Sequence, residues 1–216
     1  MPTKSVRSVQ SVQSVRSARA RVKKLLQDSG QTYAQEAGIR LRDQPSPLYQ
    51  LLVLTTLLSV RISSSIAVDA ARELYRSGHR TPRAMADAPW QELVDALGRA
   101  HYKRYDESTA TALGDGARLL LDRWRGDLRK LRDEAGGSPG RVRVLLQEFP
   151  RIGPVGAEIF CREAQGVWPQ LRPSFDRRAL TGAAKNSLPE DAESLAALVA
   201  PEELPNLAAA LVRSTL

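Results

Sequence analysis

Apolar and polar positions follow a helical rhythm along most of the chain. From Leu48 to Val60 the residues are mostly apolar, broken by Gln50, Thr55 and Thr56. That stretch is too short to span a bilayer and reads as a buried helix, opened by Pro45-Ser46-Pro47. After Ser63-Ser64-Ser65, which are placed to cap a helix, the apolar residues Ile66, Val68, Ala70, Ala71, Leu74 and Tyr75 keep helical spacing until Gly78. Thr81-Pro82 and Pro89 each mark a helix start. Further helices are expected over 18–28 (stopped at Gly30), 106–125, 141–148, 155–164, 176–185, 190–199 and 202–214, with a sharp turn at 150–154. Alternating strand patterns are absent. The expected class is all-α.

Composition narrows this picture. With 216 residues and 42% apolar content, the chain suits one large domain or two small ones. The net charge is +8, and seven of those charges come from residues 1–24: Lys4, Arg7, Arg16, Arg19, Arg21, Lys23 and Lys24, with no Asp or Glu among them. Nucleic acid is the natural partner for such a tail, although a charge run is often only a solvated arm. Residues 5–19 form five triplets, four of the type Ser-Val-Arg or Ser-Val-Gln and the last Ser-Ala-Arg. Their low complexity and lack of large apolar groups lead us to expect a disordered basic tail over 1–19. The basic N-terminus has no apolar core of a secretory signal. Cys161 is the only cysteine, so no internal disulfide and no cysteine-ligated metal or cluster is expected. His79 and His101 are too isolated to suggest a metal site. No cofactor is expected, and a reducing, cytoplasmic setting fits.

The segment from Leu145 to Phe160 carries the chemistry. Two apolar helical stretches flank a turn with Gly153 and Gly156, and Ile152 can anchor that turn to a core. Ala157 permits close helix approach. Such a hairpin exposes backbone N–H groups at a helix N-terminus, where the dipole favours a phosphate. An ordinary helix–turn–helix connection fits the same pattern. Nineteen residues after Ala157, Asp176 follows Phe175 and precedes a helix, the position of an N-cap.

These segments resemble the helix-hairpin-helix (HhH-GPD) DNA glycosylase superfamily, which includes endonuclease III and the adenine glycosylases. Leu146 to Ile159 resembles its hairpin, whose usual pattern is Leu-Pro-Gly-Val-Gly, a polar pair and Ala. Gly166 falls at the glycine before the catalytic loop, and Phe175-Asp176 matches the pair that supplies the catalytic aspartate. Leu51 to Arg61 resembles the Leu-Leu-x-x-x-x-Leu-Ser-x-Gln helix, and His101 to Tyr105 the Gly-Phe/Tyr-x-x-Lys segment. The resemblance covers about residues 45–180. It departs at several points. The first hairpin glycine is Arg151, the nucleophilic lysine is Val155, the duplex-probing glutamine is Arg61, and the lysine of the Gly-Phe/Tyr-x-x-Lys segment is Tyr105. The four cluster cysteines are missing.

The resemblance implies a two-lobed fold. Residues 47–170 would form a central helical barrel containing the hairpin at about 141–164, and residues 20–46 with 171–216 a second helical lobe. It implies a monomeric, nucleoid-associated protein that binds double-stranded DNA, not a membrane. The implied reaction is hydrolysis of the N-glycosidic bond of a flipped damaged or mismatched base in base-excision repair. Asp176 would be the catalytic residue. Arg61, Arg151, Ile152, Gly153, Val155, Gly156 and Arg177 would contact DNA. Tyr102 and Tyr105 are candidates for stacking on the base, or else core aromatics. Arg61 would enter the gap left by the base, grip a phosphate, or form a surface ion pair. Trp90, Trp124 and Trp168 read as packing, and Cys161 as a small buried hydrophobe. Without a lysine at 155 there is no Schiff base and hence no strand cleavage; Lys103 and Lys185 are unaligned amines. Two other readings remain: a catalytically inactive DNA-binding protein that kept the hairpin, and a protein-interaction scaffold.

Overall fold

The computed structural model describes the backbone of residues 4–216 and the side chains from residue 15 onward. The helices are α1 (Lys4–Ser29), α2 (Tyr33–Glu36), α3 (Pro45–Leu58), α4 (Ser64–Arg76), α5 (Pro82–Ala86), α6 (Trp90–Arg99) and α7 (Asp106–Trp124). They continue with α8 (Leu128–Glu134), α9 (Pro139–Leu146), α10 (Pro154–Ala164), α11 (Arg177–Lys185), α12 (Ala192–Ala196) and α13 (Leu204–Arg213). Two 3-10 turns, Pro169–Leu171 and Pro201–Glu203, complete the set. Among the described residues there is no strand, so the chain is all-α. No described helix is long and apolar enough to cross a membrane.

Local chemistry explains most of the helix starts. Prolines occupy the first turn of α3, α5, α9 and α10, where a missing N–H costs nothing. Thr81, Ser138 and Asp191 accept backbone N–H bonds from Ala84, Arg141 and Ser194 as N-caps. The serine cluster behaves differently from expectation. Ser63 precedes α4 but makes no side-chain cap, because its Oγ lies 2.6 Å from Ser65 Oγ instead. Helix α8 was not expected. Arg125 ends α7 at φ 54°, and Asp127 then caps α8 by accepting from Arg129 N. Helix α1 starts far upstream of the expected residue 18, and no Gly or Pro stands between Lys4 and Ser29 to stop it. The disordered tail expected over 1–19 falls partly outside the described residues, on residues 1–3 and on the side chains up to residue 14.

The chain divides into two compact units: Met1–Thr32 with Arg172–Leu216, and Tyr33–Leu171. The larger unit is organised around α3, in which Leu48, Tyr49, Leu51 to Thr55 and Leu57 are buried. Helices α4, α7, α8 and α10 pack around it. A helix apolar on all sides needs such a jacket, since each buried Leu or Val contributes about 1.5–3 kcal/mol. Residues 33–46, expected in the second lobe, belong to this larger unit. Ala34 N donates to Glu163 Oε2 at 2.9 Å. Trp168 Nε1 and Arg132 both bond the Asp43 carboxylate, at 2.9 and 2.8 Å.

In the smaller unit, α13 is the spine and packs against both α1 and α11. Ala18 and Val22 of α1 are buried, and Asn206 Nδ2 donates to Gly30 O at 2.7 Å. The crossing of α11 with α13 depends on Gly182, where a Cβ would sit 2.0 Å from the carbonyl oxygen of Leu211. Backbone cannot move aside cheaply there. Gly182→Ala is therefore expected to destabilise the protein by at least about 2 kcal/mol, read as a lower urea midpoint by circular dichroism. An exposed control, Lys185→Ala, should change stability by no more than about 0.5 kcal/mol. Equal midpoints for the glycine variant and wild type would contradict the close crossing.

Candidate nucleic-acid interface

The hairpin is built from α9, the turn at residues 149–153, and α10. Phe149 and Ile152 are buried, and Ile152 N donates to Phe149 O at 3.1 Å, closing the turn. Phe149 stacks on Trp124 of α7 with ring centroids 5.5 Å apart. Trp124 is fixed in turn by its Nε1 bond to Glu134 Oε2 at 2.7 Å. Arg123 pairs with Glu134 and also with Glu148, just before the turn. The hairpin thus rests on a stacked aromatic pair held by ionic contacts.

Arg151 adopts φ 65°, the left-handed region that favours glycine. This is the position where the resembling pattern has its first hairpin glycine, and the arginine pays for the geometry with strain of order 1–2 kcal/mol. Its guanidinium donates to Ser108 Oγ at 2.7 Å and Thr109 Oγ1 at 3.4 Å, beside the Tyr105 ring. Among the described residues no carboxylate pairs with it, so its charge is not neutralised. Ser108 and Thr109 are over forty positions upstream, and nothing in the sequence marked them.

The two hairpin glycines do different work. Gly153 is the N-cap of α10, is exposed, and has nothing within 4 Å of a would-be Cβ. It supplies no side-chain cap, and Pro154 follows, so the N-terminus of α10 keeps unbonded N–H groups at Val155 and Gly156 within the helix geometry. Gly156, in contrast, is buried against α3: a Cβ there would meet Ser59 Oγ at 2.5 Å and Ile152 Cγ2 at 3.2 Å. Gly156 is therefore a packing glycine as well as a residue of the hairpin turn. Val155 is 67% exposed on the same turn. The residue that follows Ser59 by two, Arg61, is exposed and makes no ion pair among the described residues, which removes the surface-ion-pair reading.

The aromatic candidates separate. Tyr102 is fully buried, with its hydroxyl donating to Leu57 O at 3.3 Å, and burial pushes its phenol above the usual range. It is a core residue and cannot stack on a base. Tyr105 is half-buried, with the guanidinium groups of Arg104 and Arg151 near its ring. Trp124 and Trp168 are buried as expected, but Trp90 is 45% exposed, donating to Thr111 Oγ1 at 3.1 Å. Cys161 is wholly buried, and burial pushes its thiol up to about 12. Lys103 and Lys185 are exposed.

Asp176 lies in the smaller unit and is the N-cap of α11, accepting from Ala179 N at 2.8 Å. It is half-buried. Arg177 and Arg178 follow, both exposed on the first turn of α11, where the helix dipole is itself positive. The hairpin contacts make a prediction. Gly156→Val should lower stability by about 2 kcal/mol, while Gly153→Val should cost under about 1 kcal/mol, both by thermal melting. Equal losses would remove Ser59 from beneath the hairpin.

No protein-family model matches the chain, and no curated protein matches it significantly. Among solved structures, it is similar to endonuclease III in a trapped covalent intermediate with DNA, an estranged-adenine complex. It is also similar to endonuclease III in a non-covalent complex with DNA. In both cases the TM-score is 0.55 with 17% identical residues, over 98% of this chain and 85% of the other. The chain therefore shares the all-α fold of endonuclease III.

Proposed function

We propose that the chain binds double-stranded DNA through its hairpin and excises a damaged or mismatched base from it. The observation that carries this reading is the exposed N-terminus of α10 at Gly153 to Val155, without a side-chain cap and anchored from below by Ile152 and Phe149. Backbone N–H groups at a helix start bind phosphate and position a protein on a duplex without reading sequence. The fold shared with endonuclease III, solved on DNA, supports the same partner. Arg61 and Arg151 in the larger unit and Arg177 in the smaller are cations suited to phosphates.

The chemistry proposed for Asp176 follows from its charge. Breaking the bond between the sugar C1′ and the base nitrogen develops positive charge on the sugar. A carboxylate nearby stabilises that charge and accepts a proton from the water that adds to C1′, while the base leaves with the bonding pair and is protonated. The bond from Ala179 N fixes the carboxylate at the start of α11. Val155 offers no amine, so no imine forms there and the product is an abasic site in an unbroken strand. The protein would act as a monomer on cytoplasmic, nucleoid DNA. A second reading, DNA binding without catalysis, is favoured by one fact: Asp176 already serves as a helix cap.

A panel of duplexes, each with one modified base, separates these readings. Wild type is expected to release one of the bases, with strand breakage seen only after alkali. Asp176→Asn should abolish release but leave DNA affinity near wild type, since the amide oxygen still accepts from Ala179 N. Undiminished release by Asp176→Asn would reduce the carboxylate to a cap. Borohydride trapping of a protein–DNA adduct would prove an amine nucleophile, with Lys103 or Lys185 the first to test.

A further inference from the structure

Helix α1 carries a second concentration of charge that the hairpin does not use. Ala18 and Val22 face the protein and are buried, and Leu25 and Leu26 are half-buried. On the side turned to solvent, Arg16, Arg19, Lys23 and Lys24 are all exposed. None of the four has an ion-pair or hydrogen-bond partner among the described residues. Asp28 is the single acid of the helix. Elsewhere Arg72, Arg76, Arg99, Arg118, Arg123, Arg129 and Arg132 each lie within 3.3 Å of a carboxylate oxygen, whereas on α1 the four cations follow one another along a single face.

We infer that the solvent face of α1 is a second DNA contact surface, in which Arg16, Arg19, Lys23 and Lys24 bind the phosphate backbone of a duplex without reading its sequence. Unpaired like charges repel one another along a helix, and a polyanion relieves that repulsion at all four positions together. At about 1.5 Å of rise per residue the four cations span about 12 Å. Over that length a duplex presents about seven negative charges. Exposed Lys and Arg on a rigid helix give point contacts to phosphates, not bidentate readout of bases, so the contact is independent of sequence. A lipid surface is the poorer partner. Interfacial helices bury an apolar face in the membrane, whereas the apolar face of α1 is spent inside the protein on Ala18 and Val22. The inference rests on the reading of the chain as a DNA-binding protein, and concerns a different surface from the hairpin.

The test compares wild type, a variant with Arg16→Gln, Arg19→Gln, Lys23→Gln and Lys24→Gln, and the hairpin variant Gly153→Val. Glutamine keeps helix propensity, and circular dichroism confirms folding. Affinity for a fluorescent duplex of about 20 base pairs is measured by anisotropy between about 50 and about 200 mM salt. The α1 variant should bind at least about tenfold more weakly at the middle of that range. Its salt slope should fall by about 0.9 per lost contact, up to about 3.6 for all four. An unchanged slope in the α1 variant, with binding weakened by Gly153→Val, would overturn the α1 surface and leave the DNA reading standing. No binding by wild type at the lowest salt would overturn both. A parallel arm uses vesicles of phosphatidylserine and phosphatidylcholine; capture of wild type but not of the α1 variant would assign the face to lipid and overturn the inference.

Discussion

The hairpin exists in its observed form because α10 can come within side-chain contact of α3 at one point. Gly156 leaves room for Ser59, and Ser59 in turn directs its hydroxyl back to Thr55 O at 2.7 Å, so that the polar group is satisfied inside α3. With α10 seated there, Ile152 and Phe149 reach the core and the intervening turn is forced outward. Close-packed interiors tolerate no spare methyl group at such a crossing, so an absent side chain becomes a positional instruction. The exposure of Gly153 and Val155 is the other face of the same constraint: what α10 buries on α3 decides what it presents to solvent.

The energetics of the turn show what is paid to keep it. Arg151 holds a left-handed backbone without the freedom of glycine, and its side chain offsets part of that strain by bonding Ser108 and Thr109. Trp124 on Phe149 adds an aromatic contact of about 0.5–1.5 kcal/mol, and Glu134 fixes the indole from its far edge. These terms converge on five residues of turn. They make it rigid, and a rigid backbone donor set binds an anion without ordering costs.

Charge is distributed by the same division of labour. Several arginines of the larger unit sit against carboxylates on the surface, where each pair is worth at most about 1 kcal/mol and neutralises field more than it stabilises. Arg61, Arg151, Arg177, Arg178 and the solvent face of α1 are among the cations that have no ion pair among the described residues, as are Arg40, Arg83, Arg104, Arg125 and Arg141.

The sequence by itself determined the class and several of the helix starts. Proline in the first turn, Thr81, Ser138, Asp176 and Asp191 as caps, and the apolar run of α3 are local signals, carried by neighbouring residues and by backbone geometry. The hairpin and the cap at Asp176 were legible for that reason. Helix α8 escaped notice because its seven residues show too little periodicity, although Asp127 marks its start. Only the tertiary structure decided the rest. It assigned residues 33–46 to the larger unit through Glu163 and Asp43, buried Tyr102 while leaving Tyr105 at the surface, and split Gly153 from Gly156 into an exposed cap and a packing contact. Those outcomes depend on partners such as Ser59, Leu57 and Ser108, tens of residues away along the chain. The physical reason is that capping and turn geometry are set by neighbours in sequence, whereas burial is set by neighbours in space.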